Sequence, residues 1–251
     1  MLKKMNWKRL AVLALALYLF SLVWNLPASF VWSRVQDQLP AQVELVGLTG
    51  TLWSGRVNRI AVEGIDQGAL TWSWRPTGLL NAAIELDLAW MPRNGDVRAT
   101  LQAGAGTLTL ENVRGHLDAA AMASVNKAPF LLEGTWLLDV PVLELQDMEH
   151  VVRADGRLVW ERAAGGLPTA LALGDLTADL DENDGWLQFT FSDRGGPLGL
   201  QGGARWRPGQ AMLLDTRLQA RATAEPGLVG GLTLLGQPAS DGWITWQARL
   251  Q

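Results

Sequence analysis

Chemistry needs reactive side chains held close together, and this sequence offers few candidates. The two histidines, His116 and His150, stand far apart in the chain. Neither has a second histidine at ligand spacing, and a zinc site built on them would need carboxylates. The densest acidic run is Asp179, Asp181, Glu182 and Asp184, with Asn183 and Gly185 among them. It resembles a cation loop superficially, but an EF-hand places its ligands at alternate positions of a longer loop that ends on Glu. A solvated hairpin turn accounts for the run. Ser54 lacks the Gly-x-Ser-x-Gly setting of a nucleophile elbow, and no phosphate loop occurs. Cysteine is absent, which rules out disulfides, thiolate metal sites and a cysteine nucleophile. The expectation is a protein that is not an enzyme, with no cofactor and no metal.

The elements that would position any site begin with an apolar stretch. Leu10 to Ser33 contains no charged residue across 24 positions. A helix rises about 1.5 Å per residue and the hydrocarbon core is about 30 Å thick, so roughly 20 apolar residues span it. Trp7 lies at one end and Trp24 and Trp32 near the other, where indole rings favour the headgroup level. Asn25 and Pro27 weaken the last turns. Lys3, Lys4, Lys8 and Arg9 precede the stretch and would stay in the cytoplasm by the positive-inside rule. A cleaved signal peptide competes with this reading, but its apolar run is shorter and ends at a small-residue site. Here Pro27-Ala28-Ser29 is followed by Phe30. The expected organisation is a cytoplasmic basic arm over 1–9, an inner-membrane anchor over 10–33 and a periplasmic domain over 34–251.

Beyond residue 33 the chain carries 17 basic and 25 acidic residues, and Lys127 is its one lysine there. An acidic domain without a basic cluster argues against nucleic acid. Ten tryptophans and no tyrosine follow residue 33, so indole should dominate the aromatic packing.

From Val43 onward the apolar signal has period two. Ile84, Leu86, Leu88 and Trp90 alternate with Glu85, Asp87 and Ala89, and Val97, Ala99, Leu101 and Ala103 alternate with polar residues. Further strands are expected near 56–63, 69–74, 106–113, 130–140, 152–161, 171–180, 186–192, 200–207, 213–222 and 243–250. Turn chemistry separates them at Asn94-Gly95, Asp155-Gly156, Asp184-Gly185, Pro208-Gly209 and Asp241-Gly242. Short helices are expected near 118–126 and 226–235. The short connections favour antiparallel pairing. The pattern Gly-x-aliphatic-x-Trp recurs at Gly68, Gly156 and Gly242, with the glycine expected to make room beside a large neighbour, such as an adjacent indole. This echo admits two related β halves, near 43–125 and 129–251, curving into one sheet or groove. The fold class is mainly β: an N-terminal transmembrane helix followed by an antiparallel, Trp-rich domain.

The segment Val46-Gly47-Leu48-Thr49-Gly50-Thr51-Leu52-Trp53-Ser54-Gly55-Arg56 resembles the protein N family of the bacterial type II secretion system. That family pairs a Gly-Thr-Leu-Trp-x-Gly segment with a following Trp-rich strand, here Leu70-Thr71-Trp72-Ser73-Trp74-Arg75-Pro76 and on to Leu79-Leu80. The late Leu232-Thr233-Leu234-Leu235-Gly236 is similar to its C-terminal end. The resemblance implies an accessory inner-membrane component with a structural or assembly role in moving folded proteins across the outer membrane. It implies partners among the other inner-membrane or periplasmic components of that machinery. It brings no catalytic residues. Gly50, Thr51, Leu52, Trp53 and Gly55 match its motif and are expected to form a tight strand-turn-strand in which glycine takes a positive φ. Trp53 is expected to be a core anchor. The alternative is an AsmA-like lipid-binding or lipid-transfer groove, which would show an open, continuous apolar face.

Overall fold

The computed structural model describes residues 7–35, 43–62, 64–92, 94–123 and 131–250. Two helices come first, α1 (Trp7–Trp24) and α2 (Ala28–Val35). Five short strands follow: β1 (Val43–Val46), β2 (Thr49–Gly50), β3 (Ser54–Val57), β4 (Arg59–Val62) and β5 (Ile65–Asp66). Then comes a long up-and-down run. Its strands are β6 (Ala69–Arg75), β7 (Ile84–Met91), β8 (Asp96–Ala103), β9 (Thr107–Asp118), β10 (Leu131–Gln146), β11 (His150–Gly166), β12 (Leu171–Asn183), β13 (Trp186–Asp193), β14 (Leu198–Trp206), β15 (Met212–Ala220) and β16 (Ile244–Leu250). Two further short helices are α3 (Ala120–Ala123) and α4 (Pro226–Thr233).

The pairing is antiparallel throughout the described ladders. From β6 to β16 each strand pairs with the next, and β3 and then β2 extend the β6 side, which makes a sheet of 13 strands. A separate sheet has the order β1-β4-β5. The strand expected over 56–63 is thus two strands in two sheets. The chain turns at Asn58, directly after Val57, whose side chain is 2% exposed. The expected boundary between halves falls where β9 and β10 pair directly, from Thr135 with Asp118 to Gln146 with Thr107. One sheet therefore runs through both halves. Part of that boundary, and residues 124–126 of the expected helix near 118–126, lie outside the described residues.

Residues directly opposite each other share a face, so the register divides the sheet into two surfaces. One row reads Leu138, Leu158, Ala178, Phe191, Gly202, Thr216 and Trp246 across successive strands. The next row, on the other face, reads Asp139, Arg157, Asp179, Thr190, Gly203, Asp215 and Gln247. The apolar face buries three clusters. The first joins Leu176, Leu198, Leu218 and Ile244 to Leu228 and Leu232 of α4. The second holds Val140, Val151, Ala154, Leu180 and Leu187. The third places Ala121 of α3 on Val97 and Leu117. Each short helix lies over part of the face that the strands alone would leave wet.

Three readings of the sequence need correction. Asp155-Gly156 is not a turn but the middle of β11, paired with Asp181 and Leu180. Gly156 is there because a Cβ would come within 2.9 Å of the Val140 Cα. In this copy of the recurring pattern, the glycine thus makes room for an aliphatic side chain and not for an indole. The real reversal between β10 and β11 is Asp147-Met148, with φ of 52° and 55°. The uncharged stretch 10–33 is not one helix. It breaks at Asn25–Pro27, and α1 begins with Lys8 and Arg9 in its first turn. Among the described residues, no helix is long and apolar enough to cross a membrane.

One buried charge staples the later strands. The Asp193 side chain is 6% exposed and sits 2.6 Å from the Arg221 guanidinium. It accepts hydrogen bonds from the backbone N–H of Gly195 and Leu200. Burial alone would push its pKa up, but those two bonds and Arg221 outweigh burial and hold it below the ordinary carboxylate value. An aspartate whose pKa is depressed by folding contributes stability above its unfolded value of about 4 and loses it as pH falls through the lower, folded value. Arg221→Ala should cost about 1.5–3 kcal/mol near neutral pH, the range for a hydrogen-bonded charge. Thermal melts should show the gap between Asp193→Asn and wild type narrowing as pH drops below about 4. An unchanged gap would contradict the assignment.

Candidate functional site

The family-like motif lies where the N-terminal helices meet the sheet. Thr49 and Gly50 pair with Arg56 and Gly55 to make a two-stranded hairpin at the edge of the large sheet. Thr51, Leu52 and Trp53 form its turn. The Thr51 hydroxyl accepts from the backbone N–H of Trp53 at 3.3 Å and of Ser54 at 3.2 Å, which replaces a backbone turn by a side-chain one. Gly50 has φ +93° and lies close to Gly55, where a Cβ would be 2.6 Å from the Gly55 Cα. The positive φ of the motif thus belongs to Gly50. Gly55 lies outside the left-handed region and is small for another reason: a Cβ there would strike the Trp72 indole and come within 2.7 Å of the Thr49 carbonyl.

The turn takes hold of the end of α1. A helix leaves its last carbonyls without intrahelical partners. One of these, Val23 O, accepts the indole N–H of Trp53 at 3.0 Å and the Leu26 N–H at 3.3 Å. The next link is backbone to backbone: Leu52 N–H donates to Leu26 O at 3.0 Å, and Pro27 bridges to Thr51. Leu52 O in turn accepts from the Trp72 indole at 3.1 Å, and Trp53 O accepts from Trp74 N–H at 2.6 Å. Around these bonds three rings pack together. Trp53 stacks on Trp24 with centroids 6.1 Å apart, and Trp74 meets both edge-on at 5.4 and 5.5 Å. Phe20, one helical turn earlier, stacks on Trp24. Trp53 is half-buried and belongs to none of the three buried clusters; its neighbours are the helix end and the first strands of the sheet.

Other residues that drew attention in the sequence are not brought together. His116 lies within β9 and His150 opens β11. Asp179 pairs with Arg157 across strands, and Asp184-Gly185 forms the reversal between β12 and β13. Among the described residues, no three His, Asp or Glu side chains gather as metal ligands. A hollow of about 990 Å³ opens between β12 and β16, with Gly202 and Gly203 among its lining residues. Of its arginines, Arg205 lies over Trp186 and Arg217 binds Asp241. On the apolar face a cavity of about 230 Å³ is lined by Trp136, Trp160, Leu176, Phe191 and Trp246. Small-molecule pockets run to about 300–1,000 Å³, and the buried clusters divide the face on which this cavity lies, which does not favour an open lipid groove. Sequence reasoning singled out Trp53 but missed its partner Trp24, which it read as a headgroup-level ring. The signal was the recurrence of tryptophan at 24, 53 and 74.

The family model "Type II secretion system (T2SS), protein N" matches residues 41–247. A type II secretion system protein N of Vibrio cholerae serotype O1 is 27% identical over 241 residues, covering 88% of this chain and 89% of the relative. One of Aeromonas hydrophila is 29% identical over 241 residues, covering 93% and 94%. No solved structure matches the chain.

The ring contacts set the expected cost of breaking the seat. Aromatic pairs contribute about 0.5–1.5 kcal/mol each beyond area burial. Trp53→Ala removes two of them and the bond to Val23 O. Hydrogen exchange should then quicken at the amides of Leu52 and Trp74 while β9–β12 stay protected. Trp53→Phe, which keeps a ring and loses the donor, should fall between. Exchange that quickens equally in β9–β12 would show that Trp53 supports the whole sheet.

Proposed function

The chain belongs to the protein N family of the type II secretion system, and we propose that its part in that machinery is structural. In this reading the N-terminal apolar stretch, of which α1 is one part and not a full span by itself, holds the protein to the inner membrane, the basic N-terminal arm stays in the cytoplasm, and the sheet stands in the periplasm as a scaffold for other components. The observation that carries the proposal is the seat itself. A helix that is apolar on all sides beyond its first turn is joined to the edge of a large sheet by backbone bonds and three tryptophans. Leu13, Leu15, Leu17 and Phe20 of α1 are all more than half exposed. Helices apolar all round belong in a protein core or in lipid, and this one has no core around it. The motif residues Gly50, Thr51, Leu52, Trp53 and Gly55 serve as the clamp that transmits position from the helix to the sheet.

Two experiments test this. Crosslinking in native membranes followed by affinity purification should recover other components of the secretion machinery; recovery of none would overturn the scaffold role. Leu15→Asp places a charge in the apolar helix, worth about 2.5–3.5 kcal/mol against burial in lipid. It should move the protein from the carbonate-resistant membrane fraction to the soluble one. A wild-type protein that carbonate extracts would overturn the membrane attachment. A reporter fused after Gln251 should be active only as a periplasmic fusion.

A further inference from the structure

A second surface lies beside the helix seat. β6 ends at Arg75, one residue after Trp74, and the chain then makes a tight 3-10 turn, Pro76–Asn81. Ser54 pairs with Ser73, so this turn leaves the same end of the sheet on which Trp53, Leu26 and Pro27 meet. Leu80 is six positions beyond Trp74, and an extended chain covers at most about 3.3–3.6 Å per residue. Leu80 therefore lies within about 20 Å of the Trp74 that packs on Trp24.

The turn is held stiffly. Ala83 N–H donates to Gly78 O at 3.0 Å and Ala82 N–H to Leu79 O at 3.2 Å. Thr77 bonds to Glu85 at 3.1 Å, and Arg75 pairs with the same carboxylate at 3.0 Å. Gly78 is wedged so closely that a Cβ would be 2.7 Å from that of Glu85. Ala82 closes the turn with φ 52°, a conformation unfavourable for an alanine. These constraints present Leu79 and Leu80 outward, 62% and 88% exposed. A single exposed leucine needs no explanation. Here two successive leucines stand on a pinned turn that leaves the sheet at the end where Trp74 packs on Trp24 of the apolar helix.

We propose that the turn Pro76–Asn81 is a second membrane contact, in which Leu79 and Leu80 enter the boundary between lipid headgroups and acyl chains. The occupant is the bilayer itself, because the turn emerges from the end of the sheet at which the apolar helix α1 is seated. The inference rests on the reading that α1 lies in a membrane. A second contact would fix the tilt of the sheet relative to the bilayer, because the sheet is rigidly seated on α1 and a single helix remains free to tilt in lipid. Arg75 and the tryptophans then lie at the depth where snorkelling cations and indoles are favoured.

The absence of cysteine makes the test direct. Single-cysteine variants Leu80→Cys, Leu15→Cys and Leu234→Cys of the full chain are labelled with an environment-sensitive fluorophore and reconstituted in phosphatidylcholine vesicles, with and without nitroxide-labelled lipid. Leu234 is 88% exposed, just beyond α4, which packs on β12 and β15. Those strands are six or more positions from β6 along the sheet, at roughly 4.8 Å per strand. The nitroxide should lower emission at positions 80 and 15 by about half or more and leave position 234 unchanged. Quenching at 15 without quenching at 80 overturns this proposal and leaves the helix reading standing. Quenching at neither overturns both. Quenching at all three means that the sheet lies flat on the vesicle, and overturns the assignment to this turn. A blue-shifted but unquenched label at 80 marks contact with a second copy, and also overturns it.

Discussion

An antiparallel sheet that stays open has two edges, and each is a row of backbone donors and acceptors that must be satisfied somewhere. In this protein the β2 edge is met by the broken end of a helix. Leu26 O and Pro27 lie against Leu52 and Thr51, and Val23 O takes the Trp53 indole. The same contacts close two deficits at once: unpaired groups of the turn that follows β2 and unpaired carbonyls of a helix terminus. The large sheet then runs from that edge through β3 and on from β6 to β16, strand by strand. The other edge, β16, carries Thr245, Gln247 and Arg249 exposed along its length. The two ends of the sheet are therefore chemically different, one tied to the helices and one turned to solvent.

A single layer of strands also has to hide one face. The register puts aliphatic and aromatic side chains on one surface and Asp–Arg rows on the other, and α3 and α4 cover separate parts of the apolar surface. Between them, long strands β10 and β11 carry register shifts near Glu133, Asp139 and Glu144. Bulges of this kind increase twist and bend the strand. Val140, Val151 and Leu187, on the near-neighbour strands β10, β11 and β13, share a cluster that no helix residue joins.

Much of this was legible in the sequence because period two is a strong local signal. The strands expected near 69–74, 84–90, 171–180, 186–192 and 243–250 occur close to those bounds, and the antiparallel order follows from short connections. The failures have physical causes. Asp155-Gly156 has the composition of a turn, but its glycine answers to Val140 on a neighbouring strand, a contact that local sequence does not encode. Arg56 to Val62 alternates as one strand would, yet the chain splits it between two sheets at Asn58, and only long-range pairing distinguishes the cases. Gly50 and Gly55 look alike in the motif, although one is there for its φ and the other for the ring of Trp72. The helix seat was illegible for the same reason: Trp24 and Trp53 are 29 residues apart, and nothing local joins them.

The seat also explains why the break in the apolar stretch matters. A continuous helix through residue 33 would carry its carbonyls along its own axis and leave none for the sheet. By ending at Trp24, α1 frees Val23 O and exposes Leu26 O, and these are the groups that Trp53 and Leu52 use. Asn25 stabilises the ending by returning its side-chain amide to Ser21 O at 2.8 Å. Pro27 has no N–H and so adds no unsatisfied donor where the chain passes onto the sheet. Asn25 and Pro27, which weaken the stretch as a membrane span, are thus the residues that let the helix terminate against β2. The sheet is attached through fixed, directional bonds instead of a flexible linker, and a force or tilt applied to α1 reaches β3 and β6 through bonds of about 3 Å.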